Sequence, residues 1–380
     1  MKKIIIQQAY STKNSGDGLL VDLTVELLNE VLENDEAVEY LIFANDKESF
    51  TKYTRVFQVD CVDKILYRRV LYSALNAIRI VKYLLIKKKF TYPLFDQNSK
   101  ESHLIIGVGG GYMRGKNFKE SLKCIINNTT QLLWAKSSGI PFIYFPQSIG
   151  PFKYKFHENI VLEGLKYSNS VHVRDDRSLK LCNLETTTRT PDLAVMKFAQ
   201  NFELANALKK SGGTLNHLLI CRDIEANEKT KNNYINGLKA LKEKYKMEIV
   251  LQSTGRGNDD YDFARQYFGE QNLRTLKEAL SDGKRYLVTS VRLHGSMETI
   301  ISGHPSVHLS YERKGFGAYE DLGLENYVFN SFSLNVEDVT RAIDTITQDE
   351  DSYWLALEKN IKQILSKKNE LKSNIRKALY

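Results

Sequence analysis

The stretch Tyr286-Leu-Val-Thr-Ser-Val-Arg-Leu-His-Gly-Ser-Met-Glu-Thr-Ile-Ile301 decides how the chain folds. Tyr286–Ser290 is a short, largely apolar run, as expected of a strand buried on both faces of a parallel sheet. Gly295–Ile301 carries a helical pattern. The turn between them holds Arg292 and His294. A strand that feeds a helix through a short turn is half of a β-α-β unit.

The same alternation runs outward in both directions. Strands are predicted at 3–7, 39–43, 103–108, 141–145, 170–174, 217–222, 248–252 and 306–309. Helical stretches lie between them at 19–32, 118–138, 155–167 and 231–244. Strand-helix alternation argues for an α/β fold of doubly wound, Rossmann-like domains. A chain of 380 residues exceeds one ordinary core, so two domains are expected. A polar stretch from Lys197 to Asn216, with Ser211-Gly-Gly213, separates the two series. The expected division is therefore residues 1–200, residues 201–345 and a helical tail at 346–380. Two such domains would face each other across a cleft, with ligands near the carboxyl ends of the strands. No internal repeat is evident.

Bulk composition narrows the functional classes. Hydrophobic residues make up 42% and charged residues 26%, which describes a globular chain. The net charge of +8 suits nucleic acid, an anionic membrane face or small anionic substrates. The basic stretches carry no aromatic RNA-binding motif and no zinc-finger spacing, so nucleic acid is not an expected partner. The stretch Tyr67–Lys89 sets Val70, Leu71, Leu75, Ile78, Val81, Leu84 and Leu85 at helical spacing among basic residues. It reads either as a docked helix with a solvated basic face or as an interfacial helix on anionic lipid. Cys61, Cys124, Cys182 and Cys221 form no C-x-x-C pair and read as buried free thiols. The apolar run Ile4–Ile6 is too short for a signal peptide. No run reaches the length of a membrane span. The expected location is cytoplasmic.

Several segments at predicted strand ends carry groups that suit ligand binding. Asn14-Ser-Gly-Asp17 precedes the first helix, where free backbone N–H groups favour an anion or a hydroxyl-rich ligand. Asp17 also suits a helix cap. Gly107-Val-Gly-Gly-Gly111 fits either backbone contact with a ligand or a tight turn. It matches neither G-x-G-x-x-G nor a Walker loop. Gln147 and Ser148 follow another strand, and their polar side chains suit sugar hydroxyls or the loop backbone. Arg174 ends a strand and suits a carboxylate or phosphate, or else a structural pair with Asp175 or Asp176. Asp192 suits a backbone cap or a partner for an arginine. Arg222 ends the first strand of the second series. Arg292 and His294 at a helix N-terminus make an anion site with a proton donor. Lys314 adds a cation beyond the next strand.

Taken in order, the segments resemble the polysaccharide pyruvyl transferase family. The series comprises N-S-G-D at 14–17, G-V-G-G-G at 107–111, P-Q-S-I-G-P-F at 146–152 and R-D-D-R-S at 174–178. It continues with P-D at 191–192, S-V-R-L-H at 290–294, G-H-P at 303–305, Y-E-R-K at 311–314 and D-L-G-L at 321–324. The resemblance implies a GT-B-like fold whose C-terminal helix crosses back to the first domain. It implies phosphoenolpyruvate as donor, a pyruvate ketal bridging two sugar hydroxyls as product, and no metal or other cofactor. The setting it implies is bacterial capsule or exopolysaccharide synthesis on a sugar acceptor, lipid-linked or free. Arg292, Leu293 and His294 match the family's R-L-H signature, and Arg174 matches its R-D/E position.

The resemblance thus points to His294 and Arg292 as catalytic residues. Donor-binding candidates are Arg174, Arg222, Arg292, Leu293 and Lys314, with the second domain as the donor side. Acceptor-binding candidates are Asn14, Asp17, Gly109, Gly110, Gln147 and Ser148, with the first domain as the acceptor side. Ketal formation needs a proton at the methylene carbon of the donor, and His294 is the candidate acid. A role for His294 as phosphate ligand fits the same residues. Two competing readings share the fold: a nucleotide-sugar glycosyltransferase and a non-catalytic sugar-binding protein.

Overall fold

The computed structural model of the chain describes residues 1–12, 15–32, 37–86, 89–205, 214–252, 254–255, 258–269 and 273–380. Asn14 and the Ser211-Gly-Gly213 stretch lie outside them. Packing divides the chain into a first unit, Met1–Ala194 with Ser366–Tyr380, and a second, Val195–Leu365. The division falls after Ala194 and not near residue 200, because helix Leu193–Ala205 packs with the second unit. Phe202 of that helix stacks on Trp354 at 6.2 Å.

The first unit contains β1 (Lys2–Ala9), β2 (Val38–Ala44), β3 (Val56–Gln58), β4 (Leu104–Gly107), β5 (Met113–Gly115), β6 (Phe142–Gln147), β7 (Ile149–Phe152), β8 (Ser170–Val173) and β9 (Thr187–Arg189). Seven of them form one parallel sheet in the order β3-β2-β1-β4-β6-β8-β9. β5 and β7 pair separately. The central strands are fully buried, as expected of a sheet with helices on both faces. The core gathers Ile5, Phe43, Phe95, Ile105, Trp134 and Tyr144. The order reverses between β1 and β4, which makes a topological switch point at their carboxyl ends.

The second unit contains β10 (Asn216–Ile220), β11 (Glu248–Ile249), β12 (Thr254–Gly255), β13 (Asn258–Asp259), β14 (Tyr286–Ser290), β15 (Ser306–Ser310) and β16 (Val328–Asn330). β12 and β13 form a small antiparallel pair. The other five make a parallel sheet in the order β11-β10-β14-β15-β16. Leu218, Ile220, Val250, Leu276, Tyr286 and Val288 form a core beneath it. Here the switch point lies between β10 and β14.

The C-terminal helix Glu350–Leu379 belongs to both units, as expected. Within the second unit, Tyr353 donates to the carbonyl of Ser306 at 3.1 Å. From Ser366 onward the helix is part of the first unit, where Lys368 pairs with Glu30 at 2.8 Å. All four cysteines are buried and outside any disulfide.

Two helices differ from expectation. The stretch 118–138 is not one α-helix, because a π-helical turn, Ile125–Thr129, separates Phe118–Cys124 from Thr130–Ser138. Helix Leu66–Ile86 is docked, but not with its apolar residues inward. Only Asn76 and Ile80 are buried in it, and most of its large apolar side chains face solvent. The reading of a docked helix that merely solvates a basic face is therefore corrected.

Candidate functional site

The most concentrated site builds up from the carboxyl ends of β14 and β15. Each strand ends in a serine whose hydroxyl folds back on the backbone two residues later. Ser290 Oγ donates to the carbonyl of Arg292 at 2.8 Å and accepts from its N–H at 3.1 Å. Ser310 Oγ does the same with Glu312, at 2.8 and 3.4 Å. Arg292 and Glu312 are both extended N-cap residues that give no side-chain cap. Helices Leu293–Ile301 and Arg313–Asp321 thus begin side by side. Neither N-cap side chain bonds the N–H groups of its own helix's first turn.

A glycine sits at the third position of each helix. A Cβ on Gly295 would lie 2.7 Å from Ile220 Cδ1 and 3.0 Å from Ser290 Oγ. A Cβ on Gly315 would lie 2.1 Å from Ser310 Oγ and 2.4 Å from His308 Nε2. Both glycines let their helix press against the preceding strand end. The two segments, S-V-R-L-H-G and S-Y-E-R-K-G, are a local repeat twenty residues apart. The spacing S-x-x-x-x-G was present in the sequence but is too short to register as a repeat.

A small pocket opens between the two helix starts. Arg292, Leu293, His294, His308, Tyr311 and Lys314 help to line it. His294 is exposed there. His308 is buried beneath, with Nδ1 2.9 Å from the carbonyl of Ser290. Burial pushes the His308 imidazole down to about 4, so the ring is neutral at pH 7. Lys314 pairs with Glu312 at 3.0 Å and is partly exposed. Arg222, at the end of β10, donates to Tyr311 Oη at 2.6 Å and lies over the Tyr311 ring at 4.8 Å. It reaches the pocket wall through that tyrosine. The predicted residues Arg222, Arg292, Leu293, His294 and Lys314 therefore gather beyond the carboxyl ends of the neighbouring strands β10, β14 and β15.

Arg292, expected as an anion ligand, is also paired within the fold. Its Nε donates to both carboxylate oxygens of Asp260, at 2.9 and 2.8 Å, and its Nη2 donates to Oδ1 at 2.5 Å. Asp260 is 1% exposed and the Arg292 side chain 11%. A buried carboxylate thus holds one edge of the guanidinium and neutralises much of its charge. This pairing carries no sequence signal, because Asp260 lies 32 residues upstream and outside every motif named above.

The first unit spends its predicted polar residues differently. Arg174 Nη1 donates to Asp192 at 2.5 Å, and its Nε donates to Ser148 Oγ at 3.0 Å. The structural partner is Asp192, not Asp175 or Asp176. Asp192 also accepts from the N–H of Ala194 at 2.9 Å, so it fills both expected roles. Ser148 donates to Asp175, which caps helix Asp176–Cys182. Gln147 is fully buried, and its amide N–H donates to the carbonyl of Val108 at 3.4 Å. A Cβ on Gly109 would lie 2.5 Å from the Pro146 carbonyl oxygen. Gly110 accepts from the N–H of Ser148 at 3.0 Å. Both glycines thus let this segment pack closely on Pro146–Ser148. Asp17 is not only a helix-start residue, since it hydrogen-bonds the hydroxyl of Tyr112. Tyr112 stacks on Tyr10 at 5.4 Å. That tyrosine pair lay outside the sequence reading.

Comparison with known proteins identifies a family and a fold. A family model described as polysaccharide pyruvyl transferase matches residues 14–313. No curated protein matches the chain. Among solved structures, a putative UDP-N-acetylglucosamine 2-epimerase from Listeria monocytogenes has a TM-score of 0.55 at 10% identity, covering 99% of this chain and 96% of its own. A glycosyltransferase from Rickettsia africae has a TM-score of 0.52 at 11% identity, covering 99% of both chains. An S. aureus MnaA–UDP complex has a TM-score of 0.50 at 11% identity, covering 94% of this chain and 91% of its own. At such identities the likeness establishes the fold alone, which is GT-B-like.

Proposed function

This chain belongs to the polysaccharide pyruvyl transferase family, and from that premise we propose that it transfers pyruvate from phosphoenolpyruvate onto two hydroxyls of a sugar. The product is a pyruvate ketal on a bacterial surface polysaccharide or its precursor, built in the cytoplasm. The observation that carries the reading is the pocket between the two uncapped helix N-termini, with His294 and Lys314 on its wall. Phosphoenolpyruvate brings a phosphate and a carboxylate, and helix N-termini and a lysine suit both.

In the proposed reaction, His294 gives a proton to the methylene carbon of the donor. The methylene becomes a methyl group and the adjacent carbon becomes oxocarbenium-like. One sugar hydroxyl adds to that carbon, the C–O bond to phosphate breaks, and the second hydroxyl closes the ring. The two hydroxyl protons end on the histidine and on phosphate, so the catalyst is restored. Negative charge on the bound donor favours a protonated imidazole beside it. Arg292, fixed by Asp260, sets the position of the turn that carries His294. Arg222 supports the opposite wall through Tyr311. The acceptor is assigned to the first unit, where Asp17 with Tyr112 and Ser148 offer polar groups.

The test is phosphate release from phosphoenolpyruvate with a panel of free and lipid-linked saccharides, comparing the natural chain with His294→Ala. A nucleotide-sugar transferase is the second reading, favoured by the fold shared with a UDP complex. It would gain if a UDP-sugar, and not phosphoenolpyruvate, raised the melting temperature.

A further inference from the structure

Helix Leu66–Ile86 lies in the first unit and contains none of the residues assigned above. Tyr67, Leu71, Ala74, Ile78, Val81 and Leu85 recur at alternating spacings of four and three, which places them on one helical face. That face points outward, with Leu85 80% exposed, Tyr67 67% and Ile78 63%. Val70 and Leu84 widen it along one edge, and Arg68 and Lys82 follow the other. The opposite face docks through Asn76 and Ile80, with Tyr72 and Tyr83 packed against the core. The helix is therefore amphipathic in the reverse sense to an ordinary surface helix.

Charge identifies what covers such a face. From Lys64 to Lys89 the chain has eight Lys and Arg residues and no Asp or Glu, matching the net +8 of the whole protein. Arg79 is engaged with Asn76 at 2.7 Å and with the Tyr92 ring. Arg68, Arg69 and Lys82 are exposed. A second copy packed antiparallel on this face would bring Arg68 and Lys82 of both copies along one seam, where the helix itself has no acidic residue and Asp63, just before it, is the carboxylate that acts on Arg68. An anionic bilayer answers both features, because it takes the apolar side chains below its headgroups and the basic edge among them. Among the described residues no helix is long and apolar enough to cross a membrane, which fits a helix that lies in the surface plane.

We propose that helix Leu66–Ile86 seats this chain on an anionic lipid surface. The inference is independent of the pyruvyl-transfer reading, since lipid binding is measured with neither donor nor acceptor present.

The full chain is sedimented with vesicles of phosphatidylcholine alone and of phosphatidylcholine with phosphatidylglycerol at about 3:1. Binding is expected to the mixed vesicles only, and to weaken as salt rises. The triple variant Leu71→Glu/Ile78→Glu/Leu85→Glu should lose at least about tenfold in binding, with an unchanged melting temperature because these side chains make no core contact. If that variant is poorly folded, Ile78→Glu alone serves the same purpose. Arg68→Gln and Lys82→Gln should each weaken binding by about fivefold. No binding to mixed vesicles, equal binding to neutral vesicles, or full binding by the glutamate variants would overturn the proposal. A lipid-free dimer that the same glutamate variants dissociate would assign the face to a second copy and overturn it as well.

Discussion

Asp260→Asn is the most informative single change in the second unit. It leaves the size of the side chain unchanged and removes the charge that faces Arg292. The pair has little access to water, with Asp260 1% and the Arg292 side chain 11% exposed. Removing one partner of a buried pair costs about 3–5 kcal/mol, because the other charge stays behind without compensation. In a unit of about 170 residues, 1 kcal/mol shifts the unfolding midpoint by about 2–4 °C. A drop on the order of 10 °C in the second unit's transition is therefore expected, read by calorimetry. Arg292→Gln added to Asp260→Asn should restore at least about half of that loss, since a neutral pair leaves no stranded charge. A shift below about 2 °C for Asp260→Asn would refute the buried lock. So would strictly additive losses in the double variant.

The remaining predictions concern other groups. Arg174→Lys should destabilise the first unit by about 1–3 kcal/mol in thermal unfolding, because an ammonium cannot hold Asp192 and Ser148 in the fork that Arg174 uses. A pure rise in donor KM with unchanged stability would contradict that. Gly315→Ala should cost more than about 1 kcal/mol in denaturant unfolding and weaken donor binding in calorimetric titration, since its Cβ would press on Ser310 and His308. Burial holds His157, His172 and His308 down to about 4, below their unfolded value. Their stabilising effect is intact above about pH 6.5 and is lost as pH falls toward 4, at up to roughly 1.4 kcal/mol per pH unit for each ring. His308→Gln should reduce proton uptake on unfolding by up to one near pH 5, and an unchanged uptake would count against the assignment.

The sequence was most legible where a strand is central. All nine predicted strands lie in the two large sheets. The strands it missed there, β3, β9 and β16, are edge strands of three residues each with partly exposed side chains. An edge strand lacks the continuous apolar run that marks a strand covered on both faces. The π-helical turn was hidden because its residues keep a helical composition. For the site, residue types and strand ends were enough to gather Arg222, Arg292, His294 and Lys314. Asp192 was legible as a partner for some arginine, but neither its pairing with Arg174 nor that of Asp260 with Arg292 was, since these groups meet only through the tertiary fold. Helix Leu66–Ile86 shows the same limit, because periodicity gave the apolar face but not whether it points inward or outward.

The central claim is that His294 and the paired helix starts act on phosphoenolpyruvate. The most direct measurement follows phosphate release and acceptor mass together, with purified chain, phosphoenolpyruvate and the saccharide panel. One phosphate is expected for each acceptor that gains a pyruvate ketal, with loss of both signals in a folded His294→Ala variant. Phosphate release and ketal formation at near-normal rates in that variant, or their absence with every acceptor, would contradict it.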